Sequence, residues 1–387
     1  MDEREISRRA LLQGSAALAG LALFGNSLAA LAAPVADGYE VIPWLDQRPP
    51  PPPPPLDVAW QQLVWEELGA QLTPNEKFFV VAHFGVPIIP EPGWRLDLSG
   101  LVDRPLALTL EQIRALPRRE LNFTLECSGN HGAPFVTGLV GNATWAGTPL
   151  APLLREAGPR GAEVVFWGAD SGTEKIGEVE VTEQFARSMS LDEALGQDIL
   201  LCYEMNGAPL HPAHGYPVRL LAPGWYGVAN VKWLRRIEVL NTRYQGRFMA
   251  REYVTQRKVV QDGQTSVRFT WVGRALLKSA PSRVVRGPAG YQVEGAAWGA
   301  PIERVEVRVD DGPWRPTFLV AGAARNGYEW QRWGFDWVQP TAGEHTITSR
   351  AIDTSGGIQP APTDPIIANK LTFWESNQQI TRRVRIA

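Results

Sequence analysis

From Thr73 onward, apolar and polar residues alternate in short runs broken by Gly and Pro. FFVVAHF, WRLDLSGLV, LNFTLEC, AEVVFWGAD, DILLCYEM, YPVRLLAP and KWLRRIEVL each carry the period-two pattern of a half-buried strand. Three segments between them have helical spacing: TLEQIRAL, TPLAPLLREAG and SLDEALGQ, each opened by a Thr or Ser placed to cap it. Upstream, LDVAWQQLVWEELGAQ from Leu56 also spaces its apolar residues as a helix would and stops near Gly69. Short strands mixed with short helices predict an α+β domain over residues 74–258. Beyond about residue 258 the helical spacing disappears. SVRFTWVGRAL, YQVEGAAW, IERVEVRVDDGPW, YEWQRWGFDWV, GEHTITSRAIDTSG and RRVRIA alternate strictly between turn signals, which predicts an all-β sandwich over 259–387. Trp298, Trp314, Trp330, Trp333 and Trp337 supply its expected core and an interface.

The first 73 residues follow other rules. Arg8-Arg9 precede an Ala/Leu-rich stretch that ends in small residues before Pro34. This is the pattern of a twin-arginine export signal cleaved near Ala33, so residues 1–33 are expected to be removed and the protein to be periplasmic or otherwise extracytoplasmic. A membrane anchor is disfavoured, because Gly14, Gly20 and Gly25 dilute a run already short for a span. Residues 34–73 are then a Pro-rich arm and a short helix, with Pro49 to Pro55 forming an extended spacer.

Composition narrows the function. The 387 residues are 44% hydrophobic and 20% charged, as a packed globular chain requires. The net charge of −3 shows no basic excess, which argues against a nucleic-acid partner. No GxGxxG follows a strand and no phosphate loop occurs, so a nucleotide site lacks support. The two cysteines, Cys127 and Cys202, cannot make a disulfide framework. Cys127 ends an apolar run and faces a Gly-Asn-His-Gly loop, where it can serve as a buried apolar residue, half of a disulfide or a metal thiolate. Cys202 sits in an apolar run where alanine would serve, as a core residue. His211 and His214 form a compact pair, but no HExxH or CxxC supplies further zinc ligands, and Pro212 breaks the helix face they would need.

The segments ECSGN, LLCYEMNGAPL and HGYPVRLLAPGWYGVANVKWLRRIEV, in that order, resemble the sulfite oxidase family of molybdenum cofactor oxidoreductases. GAAWGAPIERVEVRVDDGPW and RAIDTSGGIQP are similar to that family's C-terminal dimerisation domain, an immunoglobulin-like sandwich. The resemblance runs from about residue 74 to the end. It implies a molybdopterin-bound molybdenum with Cys127 as metal ligand, and pterin contacts from His83, Asp170, His214, Arg219 and Lys232. It also implies an active-site hydrogen-bond donor at Tyr253, a homodimer, and oxygen-atom transfer with oxidation of sulfite or a related sulfur compound. No CxxCH haem signature is present, so electrons are expected to pass to a separate protein, such as a c-type cytochrome. One position departs from the pattern. Sulfite-oxidising members carry an arginine two residues before the histidine matching His83, and here that residue is Val81. Losing one charge-assisted bond to an anion costs about 2 kcal/mol, roughly thirtyfold in binding. His131, Arg251 and Arg332 are candidates to replace the charge. The alternative is a neutral substrate, with reduction of an S-oxide or N-oxide on the same centre.

Overall fold

The computed structural model describes residues 38–47, 59–320 and 327–387. The expected export signal and the Pro49–Pro55 spacer lie outside them. Among the described residues no helix is long and apolar enough to cross a membrane.

Two five-stranded sheets build the first domain. In one, the order is Leu106–Thr109, Arg95–Gly100, Leu234–Leu240, Glu163–Ile176 and Val179–Ser190. Only the Leu234–Leu240 and Arg95–Gly100 pair is parallel. In the other, Ala208–Pro209, Leu200–Met205, Val140–Pro149 and Arg119–Glu126 run side by side, and Arg219–Leu221 also pairs with Leu200–Met205. Each strand proposed from alternation in this domain is present. Buried positions such as Leu96, Leu98, Phe166 and Ile237 meet in one apolar cluster with helix Leu150–Ala157.

Two of the three predicted helices start as their sequences dictate. Thr109 and Ser190 each accept a hydrogen bond from the backbone N–H three residues on, while Gln112 and Glu193 reach back to complete capping boxes. The third does not use its threonine. Thr148 is buried within strand Val140–Pro149, and the helix begins at Leu150, whose N–H is taken by Ile199 O at 2.9 Å. The helix expected from Leu56 is likewise absent from residues 59–71. Ala59–Gln61 is a strand paired with Val80–Ala82, followed by a single 3-10 turn at Trp65–Glu67. Long-range partners outcompete i→i−4 bonds here: Leu63 N–H goes to Gly138 O at 2.9 Å, and Trp65 is buried against the second domain.

That second domain is a sandwich. One sheet orders Glu40–Ile42, Lys278–Gly287, Gly290–Trp298, Gln331–Trp337 and Phe318–Leu319; the other orders Arg315–Pro316, Ile302–Val309, Gly343–Asp353 and Ile380–Ile386. Its core holds Val284, Val293, Val305, Trp333, Phe335, Trp337 and Ile347. Trp298 and Trp330 have a different task. They pack edge-on against Trp65 at 5.6 and 6.1 Å, in a cluster that also includes Val140 of the first domain. Trp314 is not core; it is half-buried between the guanidinium groups of Arg350 and Arg308, 4.2 and 5.0 Å from its ring. SVRFTWV does not join the sandwich either. Val254–Gln261 and Gln264–Trp271 form a separate hairpin, and the sequence-based boundary after residue 258 falls inside it. The second of these strands is exposed throughout, so its alternation reflects pairing within a ribbon rather than burial of one face.

Candidate active site

Strand Arg119–Glu126 ends at the floor of a cavity, and the next residue, Cys127, lines it. A turn follows: Asn130 N–H bonds Cys127 O at 2.9 Å, and Gly132 N–H bonds Gly129 O at 2.9 Å. Gly132 is required here, because a Cβ would lie 2.6 Å from the carbonyl oxygen of Phe373. The same cavity is lined by His83, Asp170, His214, Arg219, Lys232 and Tyr253, with Phe79, Val81, Phe185 and Val228 as apolar wall. Its open space, with the solvent at its mouth included, is about 660 Å³. All seven residues that the family resemblance singles out thus converge on one hollow between the two sheets of the first domain.

Local irregularities aim these side chains. The pairing of Glu163–Ile176 with Val179–Ser190 slips between Trp167 and Ser171, and the bulge turns Asp170 inward. Trp233 takes φ 52° directly after Lys232, and Tyr253 takes φ 56°. Left-handed backbone at bulky residues is costly and persists where surrounding structure enforces it, often at functional sites. His83 lies at the end of strand Val80–Ala82, its ring stacked on Phe248 at 4.9 Å and on Phe185 at 5.8 Å. Its Nε2 is 2.7 Å from the Tyr253 hydroxyl, and Tyr253 stacks on Trp374 at 4.4 Å.

Burial dominates the electrostatics. It raises the Cys127 thiol to about 11, against the opposing effect of a hydrogen bond from the Gly129 amide. Such a sulfur stays a thiol until a cation displaces its proton. Burial, with Lys232 and Arg247 nearby, lowers His83 to about 4; burial likewise lowers His214 to about 4. Both rings are neutral at physiological pH. Tyr253 is held well above its usual range by burial and by the Cys127 sulfur, so it keeps its proton. Asp170 is raised to about 6 by burial, and Lys232 is lowered to about 8 by burial and Arg219.

Several buried polar atoms here lack protein partners. Asp170 Oδ1 is one and Arg219 Nε another. A buried carboxylate oxygen and a buried N–H left open are uneconomical for the chain alone. They suit a polar organic group bearing ring N–H donors and an anionic tail. A thiol, an open acceptor and open donors around one hollow therefore fit a pterin-held transition metal. The cations are less free than sequence reading implies. Arg219 Nη1 and Nη2 donate to His214 O and Asn230 O, each at 3.0 Å, and Lys232 Nζ donates to Val81 O at 2.6 Å.

None of the three cations considered as substitutes for the missing arginine lines the cavity. His131 lines a different groove, and burial lowers it well below its usual range, so it is neutral. Arg251 pairs with Glu174 and Glu183 at the surface. Arg332 is buried in strand Gln331–Trp337 of the sandwich. Place in sequence says little about which sheet a side chain reaches. Cys202 is fully buried in the core, away from the cavity lining. His211 Nδ1 accepts from Ala213 N–H at 3.2 Å and His214 Nε2 is 3.0 Å from Asn75 O, so the pair is committed to backbone. Asn230, which caps three backbone groups beneath the cavity, gave no sequence signal beyond its neighbourhood.

Comparison with known proteins bears on the family, the cofactor and the fold. Residues 83–248 match the oxidoreductase molybdopterin binding domain. The chain is 32% identical over 326 residues to sulfite oxidase of Gallus gallus, covering 76% of this chain and 69% of that protein. It is 27% identical to sulfite oxidase of Arabidopsis thaliana, over 77% of this chain and 85% of that one. The crystal structure of the sulfane dehydrogenase SoxCD from Paracoccus pantotrophus shares the fold, with a TM-score of 0.71 over 90% of this chain and 91% of that one at 24% identity. Fold and cavity together define a molybdopterin-dependent oxidoreductase with an α+β cofactor domain and an immunoglobulin-like sandwich. The chain belongs to the sulfite oxidase family, and its cofactor is molybdenum-molybdopterin.

Proposed function

We propose that this enzyme oxidises a small sulfur compound of the sulfite type by oxygen-atom transfer and passes the electrons to a separate carrier protein. The observation that carries the reading is the convergence of Cys127, His83, Asp170, His214, Arg219, Lys232 and Tyr253 on one cavity. When bound, the molybdenum cofactor supplies the oxygen transfer and accepts two electrons. Cys127 offers the protein's sulfur ligand. Asp170 Oδ1 would accept from ring N–H groups of the pterin, and Arg219 Nε and Lys232 would hold its anionic parts. His83 and Tyr253 handle the proton. With both neutral or protonated as burial dictates, His83 Nε2–H can donate to the Tyr253 oxygen, which leaves the phenol O–H free to bond a substrate oxygen.

Val81 qualifies the substrate. It presents an apolar side chain to the cavity, and its carbonyl is already taken by Lys232. This favours, as the second reading, an uncharged substrate, with reduction of an S-oxide or N-oxide. Assay of the holoenzyme with sulfite and an artificial acceptor, beside S-oxide with a reduced dye, separates the two. Under the first reading Val81→Arg raises kcat/KM for sulfite by about tenfold or more, within the thirtyfold that one charge-assisted bond supplies. Unchanged sulfite turnover in that variant, with strong S-oxide reduction by the native enzyme, overturns it. The twin-arginine pattern supports export before or during use, and the sandwich supports pairing of two chains. Signal cleavage in a periplasmic fraction and sedimentation of the purified holoenzyme test these two points.

A further inference from the structure

The turn that carries Cys127 is held from below by a charge belonging to the other domain. Lys278 opens the sandwich strand Lys278–Gly287, and its ammonium lies 2.5 Å from Glu126 Oε1 and 3.3 Å from Asn130 O. Neither side chain of this ion pair has any solvent exposure. Glu126 immediately precedes Cys127. The same Oε1 accepts from Asn130 Nδ2 at 3.0 Å, while Asn130 Oδ1 accepts from Leu139 N–H at 3.1 Å. Asn130 N–H closes the turn on Cys127 O at 2.9 Å, and the amide of Gly129, inside that turn, donates to the Cys127 sulfur. The second oxygen of Glu126 has no partner in the protein.

Stability does not account for this arrangement. A dehydrated ion pair roughly breaks even against an apolar pair of equal volume, and a carboxylate oxygen left open makes the balance worse. Its position does account for it. Glu126 directly precedes the sulfur-bearing residue, and the Lys278 ammonium lies against its carboxylate, so opposite charges sit side by side next to Cys127. The hydrogen bonds of the pair fix where Gly129 points.

We propose that Lys278 is a positioning residue for the metal-binding sulfur: through Glu126 and Asn130 it sets the Cys127–Asn130 turn, and its charge cancels that of Glu126 at the redox centre. The C-terminal sandwich is thereby part of the active site. The inference rests on Cys127 being the molybdenum ligand.

The test compares purified holoenzyme variants by redox titration, the Mo(V) electron paramagnetic resonance spectrum and thermal melting. Lys278→Met leaves an uncompensated carboxylate beside the sulfur, so the midpoint potential moves negative and kcat falls about tenfold with KM little changed. Glu126→Gln leaves the opposite charge, so the potential moves positive. The double variant returns the potential toward native while the spectrum stays altered, because the turn is no longer held. Lys278→Arg restores most of the native behaviour. A pair that only ties the domains together predicts lower melting temperatures with native potential and spectrum, and that result overturns the proposal. Should Lys278→Met not fold, Glu126→Gln decides: a potential that does not move is equally fatal. Cys127→Ser keeps the premise separate. An unchanged metal spectrum there refutes the ligand assignment, whereas native potentials in the Lys278 and Glu126 variants refute this inference alone.

Discussion

One hydrogen bond joins Tyr253 and His83 under tight constraint: His83 Nε2 lies 2.7 Å from the hydroxyl of a buried phenol held in left-handed backbone. Tyr253→Phe keeps the stack on Trp374 and removes only the hydroxyl. It is expected to lower kcat by about a hundredfold, the scale of a lost proton-handling group, with the cofactor still bound by its absorption spectrum. Cys127→Ser is expected to abolish turnover and change the metal's spectrum. The two lowered histidines also make stability depend on pH. Unfolded histidine takes up its proton near 6.5, while folded His83 and His214 resist until about 4. Between these values the unfolded chain binds more protons, so stability rises with pH across this window and is lost on acidification through it. Melting temperatures measured from pH 7 down to pH 4 should fall steadily, and less steeply in His214→Gln than in the native protein.

Among the elements, the helix Leu110–Arg114 is short enough to depend on its cap. Thr109→Ala is expected to cost about 1 kcal/mol, read as a shift in denaturant midpoint with an unchanged slope. That cap was legible because a capping box is a contract among neighbours: threonine, and glutamine three residues on. The period-two strands were legible for the same reason, since pairing with either neighbour demands the same alternation. Failures came where distant partners decide. Trp65 reads as a helical apolar position, but its ring was bound for two tryptophans some 230 residues or more away, and the backbone of 59–61 took a strand partner instead. Thr148 looks like a cap beside a helix and is in fact buried in a central strand. The site residues emerged from motifs in order. Their actual bonds did not, because sequence offers no way to see that Lys232 spends a donor on Val81 O or that Lys278 reaches Glu126 across the domain boundary.

At the scale of the whole molecule, the contacts that make the domains one unit include the Trp65, Trp298 and Trp330 cluster, the Lys278–Glu126 pair and the Tyr253–Trp374 stack. Trp330→Ala is expected to destabilise by about 3–5 kcal/mol, as large-to-small changes at buried aromatics do. Calorimetry should show the melting of both domains displaced together; displacement of the sandwich alone would mean the domains melt independently. The strand Glu40–Ile42 adds a further constraint. It pairs with Lys278–Gly287, and Trp44 inserts its ring among sandwich residues while its indole N–H donates to Ser282 O at 2.8 Å. Arg382, near the other end of the chain, pairs with Asp46 and Glu66. During translation the segment around Trp44 leaves the ribosome well before its partners in Lys278–Gly287, which follow more than two hundred residues later. The sandwich is then assembled from stretches that flank the whole cofactor domain, so this half of the enzyme is completed only after that domain has been made.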